Sequence, residues 1–136
     1  MRDLNAHLSV VQSLAPQSVD ADGSVDGADV DLANFDSAVA IGNAGLWATD
    51  GSYIFVLQHA DDDGTGAPDT YADVPAASVD GAFTAVTATT NDNVAQQVGY
   101  LGNKRWLRVR LTTSGNTSGT FVGGAVIARG NGRKVS

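Results

Sequence analysis

The sequence predicts an all-β protein, a single β-sandwich of jelly-roll or Greek-key type with about seven to nine short antiparallel strands. Three observations carry this expectation. Apolar residues recur with a period of two in short runs, most clearly Tyr53, Phe55 and Leu57, and again Leu107, Val109 and Leu111. Turn formers separate the runs: there are 16 glycines, and all 15 acids are Asp, with no Glu. Asp hydrogen-bonds its own backbone and favours turns, whereas Glu favours helices; compositional drift in the source genome is the rival reading of that bias. Finally, no window of about 11 residues places apolar side chains at helical spacing.

Taken in order, residues 7–14 read as a first strand, stopped by Pro16. Residues 17–36, with six Asp and two Gly, read as a long polar loop with room for a short strand near Val30-Asp31-Leu32. Residues 37–46, carrying Val39 and Ile41, read as a strand, and Asp50-Gly51 as a hairpin turn. Residues 52–60 are apolar on both faces, with Ile54 and Val56 opposite Tyr53, Phe55 and Leu57, which predicts a central, buried strand. The turn Asp61 to Pro68 follows, then short strands at 70–74 and 83–88 separated by Asp80-Gly81. Residues 94–101 lead into Gly102-Asn103, a second hairpin signal, and residues 104–113 alternate cleanly. The last strand, 119–128, ends in a basic tail, 129–136, expected to be exposed. No linker or internal repeat divides the chain, so residues 1–136 are expected to form one domain.

With 136 residues, 43% of them hydrophobic, the chain has the make-up of one globular core. No apolar run approaches the roughly 18 residues that span a bilayer, and no membrane partner is expected. The N-terminus lacks the apolar stretch of a secretion signal, which predicts folding in a cytoplasm. There is no cysteine, which excludes disulfides and thiolate chemistry. Charge is divided along the chain. Residues 1–103 hold every Asp and only Arg2, while residues 104–136 hold seven cations and no acid, for a net charge of −7. Such a division can guide head-to-tail packing, or the fold can mix the two halves in space; both readings are open at this point. Overall acidity argues against a nucleic-acid partner.

The run Asp20-Ala21-Asp22-Gly23-Ser24-Val25-Asp26 invites comparison with a calcium loop, but the sixth position is Val25 where a turn needs Gly, and the twelfth is Asp31 in place of a bidentate Glu. Asp61, Asp62, Asp63 and Asp69 stand the same way. Asp20, Asp22, Asp26, Asp61 and Asp63 are thus the candidate cation ligands, against the plainer expectation of solvated loops with self-capping side chains. His7 and His59 are isolated in sequence, and neither forms a catalytic constellation with a visible partner. Asn116-Thr117-Ser118 fits a glycosylation acceptor, a chance match if no signal peptide is present. No cofactor is implied, and the chain is not expected to be an enzyme. The feature that stands out is the strand at 104–113. If Leu107, Val109 and Leu111 point inward, Lys104, Trp106, Arg108 and Arg110 point outward, an aromatic among cations, the mix found at contact hot spots. With Arg105 and the tail residues Arg129 and Arg133, these form the expected interaction surface; the competing expectation is that Trp106 is covered and the arginines pair with nearby Asp.

The segment Gly99-Tyr100-Leu101-Gly102-Asn103-Lys104-Arg105-Trp106-Leu107-Arg108-Val109 is similar to a Gly-Tyr-x-Gly-x-Lys-Arg-(aromatic)-x-Arg-Val segment in small virion proteins of tailed bacteriophages and of the related gene transfer agents. The wider layout resembles them too, from Val10-Val11-Gln12-Ser13-Leu14-Ala15-Pro16, through the strand and turn Phe55 to Gly64, to the Gly/Arg-rich tail. The insert near 64–77 and the high Asp content depart from the pattern. The resemblance implies a β-sandwich head protein that decorates or cements the capsid, or forms the base of a vertex spike. Its partners would be the major capsid protein, further copies of itself as a homo-oligomer, and a spike or fibre protein. Its place would be the virion capsid surface, reached by assembly in the host cytoplasm. It implies no catalytic residue. The alternative is a carbohydrate-binding β-sandwich used in host attachment, for which nine aromatic residues offer little material.

Overall fold

The computed structural model describes residues 4–130. Ten strands follow one another: β1 (Leu8–Val19), β2 (Gly23–Asp26), β3 (Val30–Asp31), β4 (Ser37–Ala48), β5 (Ser52–Ala60), β6 (Ala72–Asp73), β7 (Val79–Asp80), β8 (Val94–Tyr100), β9 (Trp106–Ser114) and β10 (Thr120–Gly130). Among the described residues the helical segments are single 3-10 turns at Asn5–His7 and Ala76–Ser78. The first sheet has the order β1-β10-β4-β8-β7; the second has β2-β9-β5-β6, with β3 also paired to β9. All pairings are antiparallel. With the two-residue strands β3 and β7 set aside, this interleaving, in which the first and last strands lie side by side and most connections cross between sheets, is the jelly roll. The expected sandwich is present, with its strand count raised by short strands too brief to leave a periodic signal.

The core is the space between the sheets. Leu14, Ala40, Val98, Phe121 and Ile127 enter from the first sheet, and Tyr53, Phe55, Leu107, Val109 and Leu111 from the second, all essentially buried. Phe121 stacks on Tyr53 with ring centroids 4.9 Å apart and meets Phe55 edge-on at 6.2 Å. These aromatic contacts across the sandwich fix how the sheets sit on one another. The alternation read in β9 is realised: Leu107, Val109 and Leu111 are fully buried, and Arg108 and Arg110 face outward.

Six expectations are corrected. Neither Asp50-Gly51 nor Gly102-Asn103 is a hairpin turn, because β4 and β8 belong to the first sheet and β5 and β9 to the second. The dipeptides report a local conformational demand, not the pairing of what they join. Gly51 has φ +99° in the arch between sheets, and a Cβ on Gly102 would sit 2.5 Å from the Tyr100 hydroxyl. Pro16 does not end β1, which continues to Val19 at the edge of its sheet with register shifts between Gln12 and Gln17, a place where a missing N–H is tolerated. Within residues 17–36 the short strand expected near Val30 is present as β3, and the stretch read as loop ahead of it also holds β2. Strand β5 is central, but Ile54 and Val56 are only half-buried, since among the described residues no further layer covers that face. Residues 83–88 form no strand; Val86 makes one isolated bridge to Tyr53.

Candidate functional site

The outer face of the second sheet gathers the expected interaction residues. Lys104 Nζ lies 2.7 Å from Asp61. Arg105 donates from Nε and Nη2 to the two oxygens of Asp31, each at 2.9 Å, and its Nη1 lies 3.4 Å from Asp62. Trp106 is half-buried, donates its indole N–H to Asp62 at 3.2 Å, and lies under the Arg105 guanidinium at 5.2 Å. Arg108 donates to Gln58 at 2.9 Å, approaches Asp26 at 3.5 Å and lies 4.0 Å over the Tyr71 ring. Arg110 pairs with the same Asp26. Hydrogen bonding to Arg110 holds Asp26 below the usual carboxylate range, and Arg105 does the same for Asp31.

The acids of the first half of the sequence are thus folded back onto the cations of β9. The face carries compensated charge, in place of the free positive patch that the strand suggested on its own. Arg129, expected in an exposed tail, lies within β10. Its guanidinium donates to the Asp31 carbonyl and to Ser9 Oγ, both at 2.8 Å, and covers Phe35 at 4.4 Å. Arg133 lies outside the described residues.

The candidate cation ligands are likewise occupied or dispersed. Asp22 accepts the Asn116 N–H, Asp26 and Asp61 serve the ion pairs above, and Asp63 accepts the N–H and hydroxyl of Thr65. Asp20 is exposed. Among the described residues no three His, Asp or Glu side chains converge as a metal set. His7 is exposed ahead of β1, whereas His59 is buried, its Nδ1 3.0 Å from the Tyr100 hydroxyl. Burial, and then Lys104, push the His59 imidazole below its ordinary value. The Asn116 amide donates to the Tyr53 hydroxyl and the Gly119 carbonyl. A hollow of about 430 Å³ at one end of the sandwich is lined by Phe35, Tyr100, Lys104 and Arg105, whose polar groups already have partners in the chain.

The outer face of the first sheet has the opposite character. With Ala40, Val98, Phe121 and Ile127 inward, the alternate positions face out: Leu8, Val10 and Gln12 on β1; Val122, Gly124, Val126 and Ala128 on β10; Val39, Ile41 and Asn43 on β4; and Ala95, Gln97 and Gly99 on β8. None is charged; Asp80 on β7, paired with Gly99, stands at the rim. Val10 is 60% exposed and Val122 42%. A groove of about 370 Å³ runs across this face between Gln12, Pro16, Ile41, Asn43, Ala95 and Val126. The expected site omitted this face altogether. Its signal was present, since residues 8–19, 37–48, 94–100 and 120–128 contain no charged residue. Noticing it required knowing that these four segments share one sheet. No family model matches this chain, and no curated protein matches it.

Proposed function

We propose that this protein is a structural component of a bacteriophage virion, a head decoration or cement protein or the base of a vertex spike, which binds the major capsid shell. The observation that carries the reading is the uncharged outer face of the first sheet, set on a molecule of net charge −7 whose opposite face is closed by its own ion pairs. A broad, flat, partly apolar surface without charges suits a repeated contact with a protein lattice, where many copies multiply a weak attachment. The sequence resemblance supports the same reading, through the arch rather than the face. In the segment from Gly99 to Val109, Tyr100 accepts the Lys104 N–H, Gly102 leaves room for the Tyr100 ring, and Arg105 clamps Asp31. Those residues build the passage between sheets, so what they support is a shared fold. Spike or fibre proteins and further copies of this chain are the other partners of such a component.

The test is co-sedimentation with empty heads of the phage that carries the gene, comparing wild type with Ile41→Asp and Gln97→Lys, both on the outer face. Wild type is expected to pellet with heads and the two variants to stay in solution, with Gln97→Lys melting normally and the half-buried Ile41→Asp folded but somewhat less stable. Wild-type protein that remains in the supernatant would remove the reading, as would variants that bind undiminished.

A further inference from the structure

The two sheets have four edges, and three are guarded. Strand β7 is two residues long and ends in Asp80; β6 is two residues long and ends in Asp73; the edge formed by β2 and β3 carries Asp26 and Asp31. Short strands and edge charges are the means by which proteins prevent edge-to-edge pairing. The fourth edge, β1, is different. It pairs with β10 alone, and between Leu8 and Ala15 it has neither a charge nor a proline. At Ser13 the edge is covered, because Ser13 exchanges hydrogen bonds with Ala28: its carbonyl accepts the Ala28 N–H and its hydroxyl donates to the Ala28 carbonyl; beyond it Pro16 lacks an N–H to offer. Leu8 to Gln12 therefore form an open segment, long enough to hydrogen-bond and bordered by the exposed side chains of Leu8 and Val10. Among the described residues no strand pairs with its free side.

We propose that this segment pairs with the same segment of a second copy, the two Leu8–Gln12 stretches running antiparallel about a two-fold axis. An isologous contact of this kind closes on itself and stops at two copies. Charge favours this line of approach. Two molecules of net charge −7 repel one another overall, but the open edge and the adjoining outer face present no charge to one another. Pairing joins the two first sheets into one continuous sheet and doubles the uncharged face. A contact of about five residues a side buries little area, so the dimer is concentration-dependent. The inference stands on the edge alone and is independent of what the outer face binds.

The chain has no cysteine, which permits a clean scan with Ser9→Cys, Val10→Cys, Val11→Cys and Gln12→Cys, one at a time, and Ser18→Cys on β1 beyond Ser13 and Pro16 as control. Antiparallel pairing brings each residue opposite its own copy only near the axis, where Cα atoms are about 4.5–5.5 Å apart. Disulfide formation is expected to peak at one position in 9–12, fall on either side and be absent at Ser18→Cys. In parallel, sedimentation of the cysteine-free chain is expected to show the mass rising from 13.9 kDa toward twice that with concentration. Val10→Lys is expected to weaken association roughly tenfold or more by placing like charges across the pair, and Val10→Thr to preserve it. A strictly monomeric wild type, a flat cross-linking profile, or unaltered association of Val10→Lys would each overturn the proposal. A protein that fails to bind heads yet gives the peaked profile would remove the proposed function and leave this pairing standing.

Discussion

Replacing Tyr100 by Phe removes one oxygen and isolates one joint of the fold. The Tyr100 hydroxyl accepts the backbone N–H of Lys104 at 3.0 Å, across the arch from β8 to β9, and lies 3.0 Å from His59 Nδ1 on β5. Since a backbone N–H only donates, the arrangement that satisfies every group has the hydroxyl donating to a neutral His59. Phe keeps the edge-on packing against the imidazole, whose ring centroid lies 5.8 Å from that of Tyr100. What is lost is a partner for a buried ring nitrogen and for an N–H at a half-buried residue. Water can reach the second more easily than the first, so the cost is expected to be about 2 kcal/mol, within the range for one orphaned buried group. For a chain of this length that is a fall of roughly 5–8 °C in Tm, read by thermal and urea denaturation. A Tyr100→Phe protein within about 0.5 kcal/mol of wild type would refute the claim that this hydroxyl ties the two sheets together.

The same joint sets a pH dependence. Burial holds the His59 imidazole below its usual value, so the unfolded chain takes up its proton first; stability is full above about pH 6.5 and is expected to fall as the pH drops through that value, a limb that His59→Gln should flatten in urea titrations. Asp26 is depressed by its two arginines. Asp26→Asn is therefore expected to cost about 0.5–1 kcal/mol at neutral pH, less in high salt, and to reduce the loss of stability as the pH falls through the carboxylate range. Asp50 accepts the N–H groups of Thr117, Ser118 and Gly119 from the loop between β9 and β10; in Asp50→Ala those three amides should exchange hydrogen markedly faster, with core amides unchanged. Leu107→Ala, at a fully buried position, should cost about 2–5 kcal/mol in chemical denaturation.

The strands most legible in the sequence are those with a long apolar signal, β5 through an unbroken apolar run and β9 through two faces that differ. Residues 104–113 showed their pattern because Arg108 and Arg110 alternate with Leu107, Val109 and Leu111, and the structure places each on the expected side. The two-residue strands β3 and β6 fall where short strands were expected, near Val30 and within 70–74, whereas β2 and β7, set among Asp and Gly, carry no period and read as loop and turn. The turn signals failed for a different reason. Gly51 satisfies a positive φ, as it would in a hairpin, but whether the next strand folds back beside β4 or crosses to the other sheet is decided by Tyr53 and Phe55 meeting Phe121 in the core. That is long-range information, absent from any dipeptide. The site followed the same rule. The cations at 104–110 were visible, but their partners Asp26, Asp31, Asp61 and Asp62 lie 43 to 84 positions away and are placed by topology.

The division of charge along the chain and the division of charge between sheets are one fact seen at two levels. Jelly-roll order puts β9, with its arginines, between β2 and β5 in the second sheet, flanked by acids from the first half of the chain. It also collects the charge-free segments into the first sheet, where Arg129 is the one charged residue of the four long strands and turns inward onto Phe35. The two outer faces should therefore answer differently to mutation. Removing a charge from the second sheet breaks a contact the monomer already makes, so its effect belongs to stability and is screened by salt. Adding a charge to the first sheet breaks no ion pair: at the exposed Gln97 it should leave stability nearly unchanged, at the half-buried Ile41 it costs some packing, and on the proposed reading its main effect is on assembly. A surface where a substitution such as Gln97→Lys leaves the melting temperature alone and abolishes association is one shaped by a partner, and that separation of effects is what the uncharged face predicts.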